Sequence, residues 1–169
     1  MNENNIEQVV SGINLGANLG TDVFYSGTVG AAIAGINLKY APVAISVCSF
    51  SPRDISFIAD KAFELIQKFR SISLQKNSLI NINFPDIFKQ DYKGELYTKL
   101  AKRGAPEAPN IISKKDQLSF TFSASGDFID GQTDTDMQAI ENGYVSVSIL
   151  NYDISNANDF LGREISHGS

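Results

Sequence analysis

The chain has 169 residues, of which 43% are hydrophobic and 20% are charged, and its formal net charge at pH 7 is −5. This composition suits one α/β domain with a buried core, and the acidic charge argues against a protein that grips a nucleic-acid polymer through its phosphates. No apolar run approaches the roughly 20 residues of a membrane span, and the first ten residues do not resemble a signal peptide. We therefore expect a cytoplasmic protein with no membrane partner. The single cysteine, Cys48, excludes an internal disulfide and is interpreted as a small buried hydrophobe.

The first ninety residues predict alternating strands and helices. Residues 6–10 predict a short strand that Ser11 and Gly12 end, and the alanine- and glycine-rich residues 26–39 predict a helix that lies close to a sheet. The apolar segments 42–48 and 79–84 predict buried strands. Between those strands a helix is predicted to begin with Ser51 as its N-cap and Pro52 in its first turn. This order predicts a parallel sheet with helices on its faces.

The pattern changes after Pro85. Residues 96–102 and 118–122 alternate between apolar and polar side chains, and a turn-rich segment separates them, which predicts hairpins that project from the sheet. Such hairpins are marginal alone and commonly pack on a partner subunit. The segment that follows predicts a short helix capped by Asp134 and a final strand over 144–149.

The segment most suggestive of chemistry is Ser26-Gly27-Thr28, which opens the first predicted helix directly after a glycine-rich loop. A helix start offers unpaired backbone N–H groups and the positive end of the helix dipole, and both favour a phosphate. The loop matches neither the ATP-binding P-loop nor the G-x-G-x-x-G pattern, which disfavours an ATPase and a dinucleotide-binding module. The residues alone leave open an ordinary capped helix.

Asn14 is predicted near the carboxyl end of a strand, where open α/β sheets place their ligands. An amide oxygen at that position can ligate a hard cation such as Mg²⁺ or Mn²⁺. A turn residue without a ligand is the alternative interpretation of this asparagine.

Residues 10–32 read V-S-G-I-N-x-G-x-N-x-G-x-D-x-x-Y-S-G-T-V-G-A-A, which closely resembles the central motif of the SurE family. Members of that family are stationary-phase survival proteins, metal-dependent phosphatases that act on nucleoside monophosphates. Weaker similarities follow in the family's order: PVAISV, LININFPDI and the segment GQTDTDMQAIENGYVSVSIL. The resemblance extends over about residues 5–155.

The resemblance implies a Rossmann-like three-layer α/β/α domain with protruding β-hairpin arms and a C-terminal strand and helix element that is exchanged between subunits. One domain would then span residues 1–169, with a partial sheet core over 1–90 and hairpin and C-terminal oligomerisation elements over 91–169. It implies a homodimer or homotetramer and a divalent metal ion, Mg or Mn.

The implied site residues fall in the same motif. The resemblance implies that Asn14 ligates the metal, and that Ser26, Gly27 and Thr28 hold the substrate phosphate. Residues of the intervening loop would shape the site, namely Gly12, Gly16, Asn18 and Gly20. Tyr25 is interpreted equally as a nucleotide contact and as a packing residue.

Family members begin with a strand that ends in N-D-D-G, whose two aspartates are the main metal ligands, and this sequence contains no adjacent pair of aspartates. We therefore expect an N-terminally truncated domain with an incomplete metal site. The alternative hypothesis is a catalytically inactive remnant that retains oligomerisation or phosphate-binding surfaces. Asp153 is a candidate for an aspartate that some members place near the site. Asp134 and Asp136 are interpreted as capping and turn residues in preference to metal ligands, and His167 as a tail residue in preference to a catalytic base. Lys102 with Arg103 is interpreted as a solvated hairpin face, with a substrate clamp as the alternative.

Overall fold

The computed structural model describes residues 6–105, 108–114, 117–121, 126–129 and 131–153. A five-stranded sheet, in the order β1-β2-β3-β7-β4, forms its centre, and β5 and β6 form a separate hairpin. The strands are β1 (Val10–Leu15), β2 (Val43–Val47), β3 (Ser78–Phe84), β4 (Glu95–Tyr97), β5 (Asn110–Lys114), β6 (Gln117–Thr121) and β7 (Val145–Asn151). The α-helices are α1 (Gly27–Ile33), α2 (Ile55–Arg70) and α3 (Asp136–Glu141).

The sheet lies between helices that pack on its opposite faces. On one face α2 buries Ile58, Ala62, Leu65 and Phe69 against β2, β3 and β7. On the other face α1 packs Val29 and Ala32 against Ala44 and Leu79. Every residue of β2 and β3 is buried, and successive strand residues point to opposite faces, so both faces of these two strands are covered, as predicted. The predicted three-layer α/β/α architecture is confirmed.

The parallel arrangement of β1, β2 and β3 is also confirmed, whereas the sheet as a whole is mixed. Strand β7 pairs antiparallel with β3, and β4 pairs parallel with β7. The prediction that residues 96–102 form a projecting hairpin strand is therefore wrong, since only Glu95–Tyr97 is a strand and it lies at an edge of the main sheet. Alternation of side chains indicated an edge strand there but carried no information about its partner strand, whose paired residues are fifty positions away. The projecting hairpin is β5 and β6.

The first strand begins later than predicted. Residues 6–9 precede it, and β1 continues through Ser11 and Gly12 instead of ending there. The register shifts between Ser11, which lies opposite Ala44, and Asn14, which lies opposite Ser46. Gly12 has a φ of +129°, a backbone conformation open to glycine. The glycine thus introduces an irregularity within the strand and does not end it.

Two helix starts also differ from the prediction. The N-cap of α2 is Asp54, which accepts a hydrogen bond from the Phe57 N–H at 3.1 Å, whereas Ser51 and Pro52 precede the helix. The Arg53 N–H is bonded instead to Asp86 Oδ1, at 2.8 Å. The N-cap of α3 is Thr135, not Asp134. Asp134 has a φ of +57° and lies just outside the helix.

None of the helices in the part of the chain that the structure describes is long and apolar enough to cross a bilayer.

Candidate functional site

The glycine-rich loop and the start of α1 lie at the carboxyl edge of the parallel strands. The chain leaves β1 at Leu15, passes through a loop and a short 3-10 helix (Gly20–Tyr25), and enters α1 at Gly27. Since α1 leads back to the beginning of β2, its amino end faces the same edge of the sheet as the end of β1. This is the edge at which open α/β sheets bind ligands.

Asn14 lies near the end of β1 and is half-buried. Its Nδ2 donates to the Gly16 carbonyl oxygen at 2.9 Å, so its Oδ1 is the atom left for a ligand. The Gly16 N–H in turn donates to the Val47 carbonyl at 2.9 Å, which ties this turn to the end of β2. The phenyl ring of Phe50, 86% exposed, lies beside Gly16.

Ser26 is the N-cap of α1, because its Oγ accepts from the Val29 N–H at 3.1 Å and its carbonyl accepts from the Gly30 N–H at 3.0 Å. The first-turn amides that remain are those of Gly27 and Thr28, which have no intrahelical acceptor in any α-helix. Apart from its chain neighbours and the backbone of its own helix, a Cβ placed on Gly27 would meet no atom of the described residues within 4 Å. A small anion could therefore approach these two amides closely.

Asn18 is hydrogen-bonded to a cluster of polar side chains that project from β2 and β3. Its N–H donates to Asn83 Oδ1 at 2.9 Å, and its carbonyl accepts from the Nδ2 atoms of Asn81 and Asn83 at 2.9 and 3.0 Å. Its own Nδ2 donates to Ser46 Oγ at 2.6 Å. All four residues are buried. We call Ser46, Asn81 and Asn83 the asparagine clamp, because together they fix both the backbone and the side chain of one loop residue.

The next part of the loop is held by Asp136, the first residue of α3. Its Oδ2 accepts from the Gly20 N–H at 2.7 Å, and its Oδ1 accepts from the N–H groups of Ala101 and Met137 at 2.8 and 2.9 Å. Its side chain is fully buried. Burial raises the pKa of the Asp136 carboxyl above its usual value, although the three backbone N–H groups act in the opposite direction.

Asp22 completes the set of loop anchors. Arg103 donates to it from Nε at 2.9 Å and from an Nη atom at 2.6 Å, and the same guanidinium donates to the Gly126 carbonyl at 3.2 Å. The guanidinium carbon of Arg103 also lies 4.0 Å from the centre of the Phe128 ring. The interpretation of Arg103 as a solvated hairpin residue is therefore wrong, since it is a partly buried contact to the loop.

Arg103→Lys is expected to destabilise the domain by about 1 kcal/mol, because an ammonium cannot make the bidentate contact to Asp22 or the same stacking on Phe128. In a chain of this size the melting temperature should fall by about 3 °C, measurable by differential scanning calorimetry. Arg53→Lys is the control: the Arg53–Asp86 pair is long, at 3.6 Å, and the Arg53 side chain is 62% exposed. An equal loss in both variants would contradict the assignment of Arg103 as an anchor.

Of the remaining candidates, Asp153 lies away from this edge. Asp153 follows β7, and because Asn151 lies opposite Ser78 at the beginning of β3, Asp153 lies at the opposite edge of the sheet from Asn14. It is exposed, and its N–H donates to Asn151 Oδ1 at 2.9 Å. The structure therefore does not bring it to the loop of the same chain. Tyr25, immediately before Ser26, is 85% exposed, so it is not a packing residue in the part of the chain that the structure describes. His167 lies outside the described residues.

Cys48, interpreted from the sequence as a small buried hydrophobe, is partly buried directly after the end of β2. Burial raises the pKa of its thiol to about 12, and the nearby charge of Asp136 acts in the same direction. The thiol is therefore protonated at neutral pH, and a nucleophilic role is disfavoured.

The family model described as "Survival protein SurE" matches residues 1–107. The chain belongs to the SurE family. Among curated relatives, the 5'-nucleotidase SurE of Pseudomonas savastanoi pv. phaseolicola (strain 1448A / Race 6) is 37% identical over 152 residues, which are 89% of this chain and 61% of that protein. The 5'-nucleotidase SurE of Pseudomonas syringae pv. tomato (strain ATCC BAA-871 / DC3000) is 37% identical over 148 residues, 87% of this chain and 59% of that protein.

The crystal structure of the SurE protein from Aquifex aeolicus matches with a TM-score of 0.78 and 29% identity, over 94% of this chain and 64% of that one. This SurE chain thus spans about three fifths of the length of the curated relatives that it matches.

The sequence alone did not reveal the asparagine clamp or the roles of Asp136 and Arg103. The alternation L-I-N-I-N-F in β3 did carry a signal, since it places two asparagines on one face of a strand otherwise buried on both sides. A buried polar side chain requires a partner, and the loop backbone supplies it.

Proposed function

We propose that this SurE chain forms part of a metal-dependent phosphomonoesterase that hydrolyses nucleoside monophosphates to nucleoside and phosphate. The observation that carries the proposal is the start of α1, where two first-turn amides and an open approach lie at the ligand-binding edge that also holds Asn14. The names of the curated relatives, which are 5'-nucleotidases, support the same reaction class.

In this proposal the phosphate of the substrate accepts hydrogen bonds from the Gly27 and Thr28 N–H groups. The Thr28 and Ser26 hydroxyls can each donate one more, since the Ser26 Oγ uses only an acceptor position to cap α1. The helix dipole adds a favourable field at the same point. These donors are fixed before substrate binds, so they can stabilise charge that develops on phosphate oxygens without reorganisation.

We propose Asn14 as one ligand of a divalent cation, Mg²⁺ or Mn²⁺, which would polarise the phosphoryl group. The described residues do not hold such an ion on their own. No group of three His, Cys, Asp or Glu side chains among them could bind a metal, and one neutral amide oxygen is too few ligands for a hard cation. The carboxylate ligands of the proposed site are therefore not among the described residues.

The cytoplasmic location of the protein stays a prediction. We propose further that the protein is a homodimer or homotetramer. The β5–β6 hairpin supports the oligomer, because large apolar side chains on both of its strands are about half exposed: Ile111, Ile112, Leu118 and Phe120. A two-stranded sheet with that surface is marginal without a covering partner. No finding favours the alternative hypothesis of a catalytically inactive remnant.

The proposal is tested by titration of the chain with AMP in the presence of Mn²⁺ or Mg²⁺. Gly27→Ala should weaken AMP binding about tenfold, because the added methyl group narrows the approach to the first-turn amides. Gly30→Ala is the matched control. It is in the same helix, its Cβ would also meet open space, and its affinity for AMP should not change.

Equal affinities of the two variants for AMP would contradict phosphate binding at the start of α1.

A further inference from the structure

Asp136 has no direct role in the proposed chemistry. Its carboxylate nevertheless accepts a hydrogen bond from the glycine-rich loop, although the two are far apart in the sequence. Its Oδ2 binds the Gly20 N–H at 2.7 Å across 116 positions of sequence. A fully buried carboxylate is costly, and no basic side chain neutralises it in any contact that the described residues make. Three backbone N–H groups are its compensation.

The bond to Gly20 holds the last point of the loop before the phosphate-binding residues. Gly20 begins the 3-10 helix Gly20–Tyr25, and the Ser26 N–H at its end donates to the Val23 carbonyl at 3.3 Å. Six residues of regular structure therefore connect the Asp136 bond to the first turn of α1. A displacement of Gly20 moves this short helix and the Gly27 and Thr28 amides with it.

Gly20 has little freedom to move toward its other neighbours. A Cβ at this position would lie 2.6 Å from the Ala101 carbonyl oxygen and 2.9 Å from the Phe128 ring. Asp136 Oδ1 also accepts a hydrogen bond from the Ala101 N–H, while its Oδ2 binds Gly20. The same carboxylate therefore holds both the loop and the segment after β4, and its two oxygens set the distance between these two segments.

We propose that Asp136 is a positioning residue for the phosphate site: it holds Gly20 so that the first-turn amides of α1 converge on the substrate phosphate. The proposal rests on the proposed function for its consequence in binding, but the positioning itself is a property of the free protein. In this proposal the affinity for phosphate depends on Asp136, the first residue of α3.

The test is Asp136→Asn with Thr135→Ala as its matched control. The asparagine retains one oxygen for the Ala101 and Met137 N–H groups, whereas its NH₂ group would face the Gly20 N–H, so the bond to Gly20 is lost selectively. Thr135→Ala removes the N-cap of α3, where Thr135 Oγ1 accepts from the Gln138 N–H at 3.2 Å, and leaves the bond to Gly20 in place.

Two measurements on the folded variants decide the question. In the absence of ligand, the hydrogen-bonded amides of Gly20, Asp22 and Ser26 should exchange at least about tenfold faster in Asp136→Asn and not in Thr135→Ala. In titrations with AMP, followed by amide NMR shifts, Asp136→Asn should weaken binding about tenfold, while Thr135→Ala binds as the unaltered chain does.

Unchanged exchange in Asp136→Asn, or equal acceleration in both variants, would overturn the positioning role. Failure of the unaltered chain to bind AMP would instead contradict the proposed function, and the exchange measurement would still decide the role of Asp136.

Discussion

Gly12→Ala is expected to destabilise the domain by about 4 kcal/mol, a large effect for the addition of one methyl group. Two costs add. The φ of +129° at Gly12 is strained for any residue with a Cβ, and that Cβ would lie 2.3 Å from the Ile45 carbonyl oxygen. The Ile45 carbonyl oxygen cannot move away from the added Cβ, because Ile45 is in the centre of β2 and pairs with Ile82 of β3. A domain with total stability of about 5–15 kcal/mol would lose much of it.

The measurement is urea denaturation followed by circular dichroism, with Gly30→Ala as the control. Gly30 is exposed in α1, and its added methyl group meets no atom within 4 Å, so this variant should be more stable by about 0.5–1 kcal/mol. A Gly12→Ala chain as stable as the unaltered one would show that β1 lacks the irregularity at Gly12.

Asn83→Ala is expected to cost about 3 kcal/mol, because it leaves the buried Asn18 N–H without an acceptor and removes one of the two donors to the Asn18 carbonyl. The loop should loosen as well as the core. Faster amide exchange from Gly16 to Gly20 would therefore accompany the fall in the free energy of unfolding, and both can be measured on the same sample.

Asn81→Ala provides the comparison. Asn81 also donates to the Asn18 carbonyl, but among the described residues its own Oδ1 is a buried atom without a hydrogen-bond partner. Its removal eliminates that unsatisfied oxygen, and Asn83 still donates to the same carbonyl, so the loss should be about 1 kcal/mol. A larger loss for Asn81→Ala than for Asn83→Ala would contradict the assigned order of importance in the clamp.

The pattern of the sequence was sufficient to predict parallel strands with helices on the faces of their sheet, because largely apolar strands and helical spacing reflect burial directly, whereas the three-layer architecture was implied by the family resemblance. The pattern was not sufficient for β4, since the pairing of Glu95–Tyr97 with β7 depends on a contact across fifty residues. Helix starts were misplaced by one to three residues where two capping side chains stand close together, as Ser51 and Asp54 do. In that case Asp54 caps the helix, and the Arg53 N–H donates to Asp86, 33 positions away, a contact that local sequence does not encode.

In the candidate site too, local features could be predicted from the sequence, whereas contacts between distant residues could not. Ser26 could be recognised as a cap because its bond to Val29 is local, and Asn14 could be placed near the end of a strand from the pattern alone. The support of the loop could not be predicted. The bonds of Asn18 to Asn83 and of Gly20 to Asp136 join residues 65 and 116 positions apart, and no local propensity encodes such a pair.

The central claim is that this SurE chain binds the phosphate of a nucleoside monophosphate at the first turn of α1. An amide NMR titration of the chain with AMP, with adenosine as the comparison, tests it most directly. We predict saturable shifts of the Gly27 and Thr28 amides with AMP that adenosine does not produce and that Gly27→Ala weakens. Saturable AMP binding that leaves these two amides unchanged, or no binding at all, would contradict the claim.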